Sequence, residues 1–244
     1  MLTVTELSKT IADQEVLTDL SFDLRDGDRL AVIGPNGSGK SLLLSMLATL
    51  VKPTKGRVHF DGLDMWSNLS TIRPQIGYLA PVPLQALDSI QMTNLTVIEY
   101  LKFYAQIYGI KKNIRSGLIQ GTLELTDLVL VKDQLLVELS IGQQTRAVLA
   151  KNVLHDPKLW LLDDPIAQMD SHGQIELLEL ITELGKMKKT VILSTNHLNL
   201  IQEACNRVAI LCKEKLVYFG SMPSDLSSSY QQLVKPTMGM GSTN

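Results

Sequence analysis

Apolar and polar positions alternate with a period of two through the first thirty residues, which predicts strands at LTVTEL, EVLTDLSFDL and RLAVIG. Ala12 to Gln14 make a polar break between the first two, and Asp26-Gly27-Asp28 is the turn before the third. A glycine-rich loop follows, then a helix through LLLSMLATL that Lys52-Pro53 is expected to stop. KGRVHFDGLDM reads as a short hairpin, and IGYLA as a strand ending at Pro81-Val82-Pro83. From about Thr96 to Lys151 the spacing becomes helical, with Tyr100, Tyr104 and Tyr108 four residues apart. Helix packing alone accounts for such a stripe. Strands LWLLD, TVILST, RVAIL and KLVYF then alternate with helices from Ser171 to Lys186 and through Glu203. That alternation implies a largely parallel sheet covered on both faces. The tail from Ser221 is polar and weakly patterned, and its last ten residues are expected to fray.

A chain of 244 residues with 45% hydrophobic and 20% charged residues can bury one large α/β core, so disorder is excluded. The net charge of -2 supplies no global basic field, and nucleic acid is not an expected partner. Cys205 and Cys212 stand seven apart without a His/Cys cluster, the pattern of two buried reduced thiols. No stretch approaches the roughly 20 apolar residues of a membrane span. Leu42 to Val51, the longest candidate, is broken by Ser45 and Thr49. MLTVTELSKT lacks the basic start and apolar run of a signal peptide, so a cytoplasmic chain is expected.

Chemistry enters at GPNGSGKS, residues 34 to 41, a full match to G-x-x-x-x-G-K-[ST] between a strand and a helix. Gly34, Gly37 and Gly39 let the backbone curl so that successive N–H groups face phosphate oxygens, and the helix N-terminus adds its dipole. Lys40 is placed to reach the β- and γ-phosphates and the Ser41 hydroxyl to bind magnesium. Pro35, Asn36, Ser38 and Leu42 complete the expected nucleotide-contacting stretch. LWLLDDP, residues 159 to 165, ends an apolar strand in two carboxylates: Asp163 suits magnesium, and Asp164 stands where a base for the attacking water belongs.

LSIGQQTR, residues 139 to 146, resembles the LSGGQ signature of ABC ATPases, and with the loop and acidic strand it narrows many NTPase families to one. The resemblance covers residues 1 to about 220 and extends to RPQIGYLA, IAQMD and STNHLNLIQEACNRVAIL. It implies a P-loop NTPase of the RecA-like α/β type, with an N-terminal antiparallel β subdomain and a helical subdomain inserted at about 84–150. Residues 221–244 would be a C-terminal tail. It also implies a head-to-tail dimer in which Ser140, Gly142 and Gln143 of one chain meet ATP held by the phosphate loop of the other. The helix LKFYAQIYGI and strand TVILST look most similar to exporter-type cassettes. The implied partners are an integral membrane permease, docking near Pro81 to Thr96 and the tyrosine stripe, and a second ATP-binding subunit. The chain would thus lie on the cytoplasmic membrane face.

Departures from the family pattern cluster in one place. Ile11 stands where the family has an aromatic that stacks on adenine, and Pro81 replaces the glutamine that links magnesium to the membrane subunit. Asp164 replaces the catalytic glutamate, and its carboxylate is drawn back by roughly 1.5 Å, where about 1 Å can cost on the order of a hundredfold in rate. Asn196 takes the place of the switch histidine; it can donate a hydrogen bond but carries no charge. The adjacent His197 reads as a surface or helix-start residue. The signature keeps Ser140, Gly142 and Gln143, with Ile141 for a glycine. The pattern suggests a heterodimer in which this chain's own site is slow, a homodimer being the other arrangement. A nucleotide-gated structural or regulatory module with little turnover is the alternative. A soluble ABC protein acting on DNA or ribosomes would need a coiled-coil insertion or tandem cassettes that this chain lacks.

Overall fold

The computed structural model describes residues 1–81, 92 and 94–238. β1 (Leu2–Ile11) and β2 (Gln14–Leu24) pair antiparallel across a turn in which Ala12 and Asp13 both adopt positive φ, as a tight hairpin requires. β3 (Arg29–Ile33) leads into the glycine-rich loop and α1 (Lys40–Leu47). The helix ends five residues before Lys52, earlier than expected. Thr49 takes φ 59°, and its hydroxyl and carbonyl accept hydrogen bonds from Arg73 at 3.0 and 3.2 Å. A tertiary contact therefore sets this stop, ahead of the proline. β4 (Lys55–Phe60) and β5 (Leu63–Asp64) close the hairpin at Asp61-Gly62, again with positive φ at both positions. A helical turn, α2 (Leu69–Ile72), precedes β6 (Ile76–Leu79).

The inserted lobe contains α3 (Val97–Ile107), α4 (Lys112–Leu125) and α5 (Ile141–His155). Thr96 and Glu99 form a reciprocal capping box that starts α3. The tyrosine stripe is largely internal: Tyr100 is buried, Tyr104 packs edge-on against it, and Tyr108 stacks on His155 of α5 at 4.5 Å. Of the expected docking stretch from Pro81 to Thr96, residues 82–91 and 93 lie outside the described residues.

The remaining alternation folds as β7 (Leu159–Asp163), α6 (Ser171–Lys186), β8 (Thr190–Ser194), α7 (Leu198–Ala204), β9 (Arg207–Cys212) and β10 (Lys215–Ser221). Two sheets result. The first has the order β2-β1-β4-β5 and is antiparallel; the second runs β10-β9-β3-β8-β7-β6, parallel except for the β10 edge. Pleating sorts β7 between two cores: Leu159 and Leu161 face α1 and the antiparallel sheet, while Trp160 and Leu162 face the helices on the other side. This explains why the strand is apolar at every position before Asp163. The pleat and the pair of covered faces need it so.

Beyond Ser221 the expectation of a weakly patterned tail is corrected. Residues Leu226–Met238 form α8, with Leu226 and Val234 buried and Tyr230 and Leu233 packed against the same core. These four positions follow the i, i+4, i+7, i+8 spacing of one helical face, sparse enough among serines and glutamines to be missed.

Candidate functional site

The phosphate loop sits where β3 ends, and neighbouring backbone decides which residues it tolerates. A Cβ on Gly34 would lie 2.2 Å from the Leu211 carbonyl oxygen, and one on Gly39, at φ 92°, would lie 2.5 Å from the Leu17 side chain. The loop is thus pinned between β9 and the β1–β2 hairpin. Lys40 folds back over it, Nζ donating to the Gly34 and Pro35 carbonyls at 2.7 and 3.0 Å. Burial lowers the Lys40 pKa, against the opposing pull of Asp164 and Asp163.

The second sheet brings β3, β8 and β7 side by side, so the ends of three strands meet below the loop. Asp163, 0% exposed, accepts hydrogen bonds at Oδ1 from Ser194 of β8 and, at 3.0 Å, from Ser41 of α1. Its Oδ2 is buried with no hydrogen-bond partner among the described residues. Burial raises its pKa above the ordinary carboxylate value, more than the two hydroxyls lower it. Asp164 takes φ 48°, ψ 45°, held by its N–H donating to Ser194, and its Oδ1 is likewise buried and unpartnered. Ser38 Oγ, in the loop itself, is the third such atom. Three orphaned polar atoms around one glycine cradle fit a polyphosphate with a divalent cation, since each lacks a ligand that such a group supplies.

Sequence reading missed Ser194, which is buried and serves both carboxylate residues; a hydroxyl at the end of an apolar strand was its one signal. Asn196 stands above the loop, and its Nδ2 donates to Asn36 Oδ1 at 2.8 Å. His197 is exposed at the start of α7. Ile11 lies 49% exposed at the end of β1, beside the hairpin turn.

Ser140, Gly142 and Gln143 belong to a separate cleft of about 520 Å³, shared with Asp127, Arg146, Asp170 and His172. No residue of the phosphate loop lines it, so the two groups of residues stand in separate places on the chain. Ser140 caps α5 by accepting from the Gln143 N–H, while Gln143 Oε1 accepts from the Ser140 N–H. Ile141 projects beside them, 57% exposed. Arg146, deeper in the cleft, pairs with Asp127 at 2.6 Å, Glu176 at 3.2 Å and Asp170 at 3.6 Å. A Cβ on Gly173 would lie 2.8 Å from this guanidinium. Arg146→Met is expected to lower the unfolding midpoint by about 3–6 °C, a thermal melt being the check, because three carboxylates, Asp127 after α4 and Asp170 and Glu176 at the start of α6, lose their common partner.

A further cleft of about 900 Å³ lies between β6 and the helical lobe, lined in part by Arg73, Tyr78, Tyr108, Lys151 and His155. Burial lowers the His155 pKa and raises that of the Tyr108 phenol.

Residues 17–167 match the family model described as ABC transporter. An uncharacterized ABC transporter ATP-binding protein of Methanocaldococcus jannaschii is 31% identical over 219 residues, 90% of this chain and 77% of the relative. The bacitracin transport ATP-binding protein of Bacillus licheniformis is 31% identical over 214 residues, 87% of this chain and 67% of the relative. Among solved structures, the ATP-binding subunit of an ABC transporter superposes with TM-score 0.85 at 24% identity, over 96% of this chain and 99% of that one. A dimeric ATP-binding cassette in a post-hydrolysis state, bound to ADP and Pi, gives TM-score 0.80 at 22% identity, over 92% of this chain and 100% of that one. At these identities the two structures establish the shared fold.

Proposed function

The chain belongs to the ABC transporter family as an ATP-binding subunit, and from that premise we propose that it binds Mg-ATP at an interface with a second cassette, powers an exporter, and hydrolyses ATP slowly at its own site. The observation that carries this reading is the Asp163 carboxylate: fully buried, fastened by Ser41 and Ser194, and left with one free oxygen beneath the phosphate loop.

Loop N–H groups and Lys40 bind and orient the phosphates, Lys40 exchanging its two loop carbonyls for phosphate oxygens. Ser41 and Asp163 would hold magnesium, which when bound neutralises phosphate charge. Asp164 is the group placed to take the proton of an attacking water, but its short side chain stands off from where a glutamate carboxylate would reach. Asn196 can orient a phosphate oxygen by hydrogen bonding and, being uncharged, stabilises developing negative charge less than a histidinium.

Ser140, Gly142 and Gln143 are offered to the nucleotide of the other cassette. Their preservation beside the altered Asp164 and Asn196 supports a heterodimer. The cleft lined by Tyr108 and His155 supports docking of a membrane permease, and hence a place on the cytoplasmic membrane face. Among the described residues no helix is long and apolar enough to cross a membrane itself. A transport role is supported by the Bacillus licheniformis relative, a bacitracin transport ATP-binding protein. The engagement of Asn196 by Asn36 favours, as a second reading, a nucleotide-gated module with little turnover.

Binding and steady-state hydrolysis of ATP measured side by side decide between them. Wild type is expected to bind Mg-ATP with little turnover, and Asp164→Glu to raise turnover at least about tenfold, since the carboxylate advances by roughly 1.5 Å. Brisk turnover by the isolated wild-type chain would overturn the slow-site reading. No gain in Asp164→Glu, alone or with a co-expressed second cassette, would favour the nucleotide-gated module.

A further inference from the structure

The C-terminal helix α8 does not simply cover the core. It lies on α7, the helix that begins two residues after Asn196, and it is tied there at several levels. Gln202 of α7 donates through Nε2 to the Ser224 carbonyl, and the Ser227 hydroxyl donates to Asn199 Oδ1 at 3.4 Å. Leu226 and Val234 are buried in the same core as Ile201, with Leu198 and Leu200 packed against it. Between those two anchors, Tyr230 lines a small depression of about 250 Å³ with Gly34, Pro35, Asn36, Asn196 and Leu198. One wall of that depression is the phosphate loop and another is the segment that presents Asn196.

We infer that Tyr230 is a positioning residue for the Asn196 segment: seated by α8 on α7, its ring fixes the backbone of residues 195–200 against the phosphate loop. On the loop side Gly34 stands close against β9, where an added Cβ would lie 2.2 Å from the Leu211 carbonyl oxygen. Thr195 is buried, with its N–H donating to the Val32 carbonyl of β3 and its hydroxyl accepting from the His197 N–H. Asn196 itself is exposed, and its hydrogen bond to Asn36 joins two surface side chains, a weak hold on that residue. The Tyr230 ring packs against the same core as Leu198 and Leu200 and lines the depression beside Asn196, an apolar wall next to that bond. Without it, the segment would move more freely and Asn196 would occupy its working position for a smaller fraction of the time.

This inference rests on the reading that the loop binds ATP, but its first readout does not. Amide hydrogen exchange of the full nucleotide-free chain is compared for wild type, Tyr230→Ala and Tyr230→Phe, followed by kcat and KM for ATP. In Tyr230→Ala, exchange at residues 195–200 is expected to rise about tenfold while β3 and β8 amides stay protected. Its kcat is expected to fall about fivefold with KM changed less than twofold, and Tyr230→Phe to restore both readouts. Unchanged exchange at 195–200 overturns the inference, as does a rise shared equally by β3 and β8, which would make the role merely structural. A wild-type chain that binds no ATP would overturn the functional reading instead, and the exchange comparison would still judge Tyr230.

Discussion

Asp163→Asn is expected to abolish Mg-ATP turnover, a fall of about a hundredfold or more, while raising the unfolding midpoint of the nucleotide-free chain at neutral pH. Both halves follow from one geometry. The carboxylate is wholly buried, two serine hydroxyls satisfy one oxygen, and the other has no partner among the described residues. Burial raises its folded pKa above the unfolded value of 3.8. A raised folded value means that the group's contribution to stability is fully present below about pH 4 and is lost as pH rises through the folded value. At pH 7 the charge therefore works against the fold. Asparagine keeps the shape and removes that charge, and the two hydroxyls can turn to suit an amide. The midpoint should rise by about 2–4 °C at pH 7, with the gain shrinking toward pH 4. Calorimetry at both pH values beside an ATPase assay tests the pair of effects. A variant less stable at pH 7 would show that the carboxylate serves the fold rather than a ligand.

Lys40→Ala is expected to weaken ATP binding by about a hundredfold with little change in stability. The ammonium donates to two loop carbonyls and is half-buried, with its pKa lowered by burial. It forms no ion pair within 4.0 Å among the described residues. What it loses to burial, two carbonyl bonds return in part, so its removal should leave the fold nearly indifferent. Toward phosphate it makes charge-assisted hydrogen bonds of about 1.5–3 kcal/mol, and two such bonds exceed the 2.7 kcal/mol or so that a hundredfold change represents. Isothermal titration with Mg-ATP measures the loss. Affinity within threefold of wild type would remove Lys40 from the binding set.

These two residues, with Ser41 and the glycines, were legible because their chemistry lies in contiguous motifs. Eight residues from Gly34 to Ser41 match a phosphate-binding loop pattern between strand and helix, and LWLLDD reads as a doubly buried strand ending in acid. Strand and helix types were equally plain, since period-two and helical spacing are local properties of the chain. Helix ends were less so. The stop of α1 at Leu47 depends on Arg73 reaching Thr49, a contact across 24 residues with no local signature.

By itself, then, the sequence determined the α/β alternation, the inserted helices, the phosphate loop, the acidic strand end and the signature, each encoded in residues that are neighbours along the chain. Tertiary structure alone decided what surrounds them. Ser194 reaches Asp163 across 31 positions and Asn196 reaches Asn36 across 160, and neither pairing has a periodicity that could announce it. The same holds for α8. Four apolar residues among serines and glutamines specify a helix only when α7 and β9 present a face to bury them, because a short helix in water lacks the internal stability to persist without such packing.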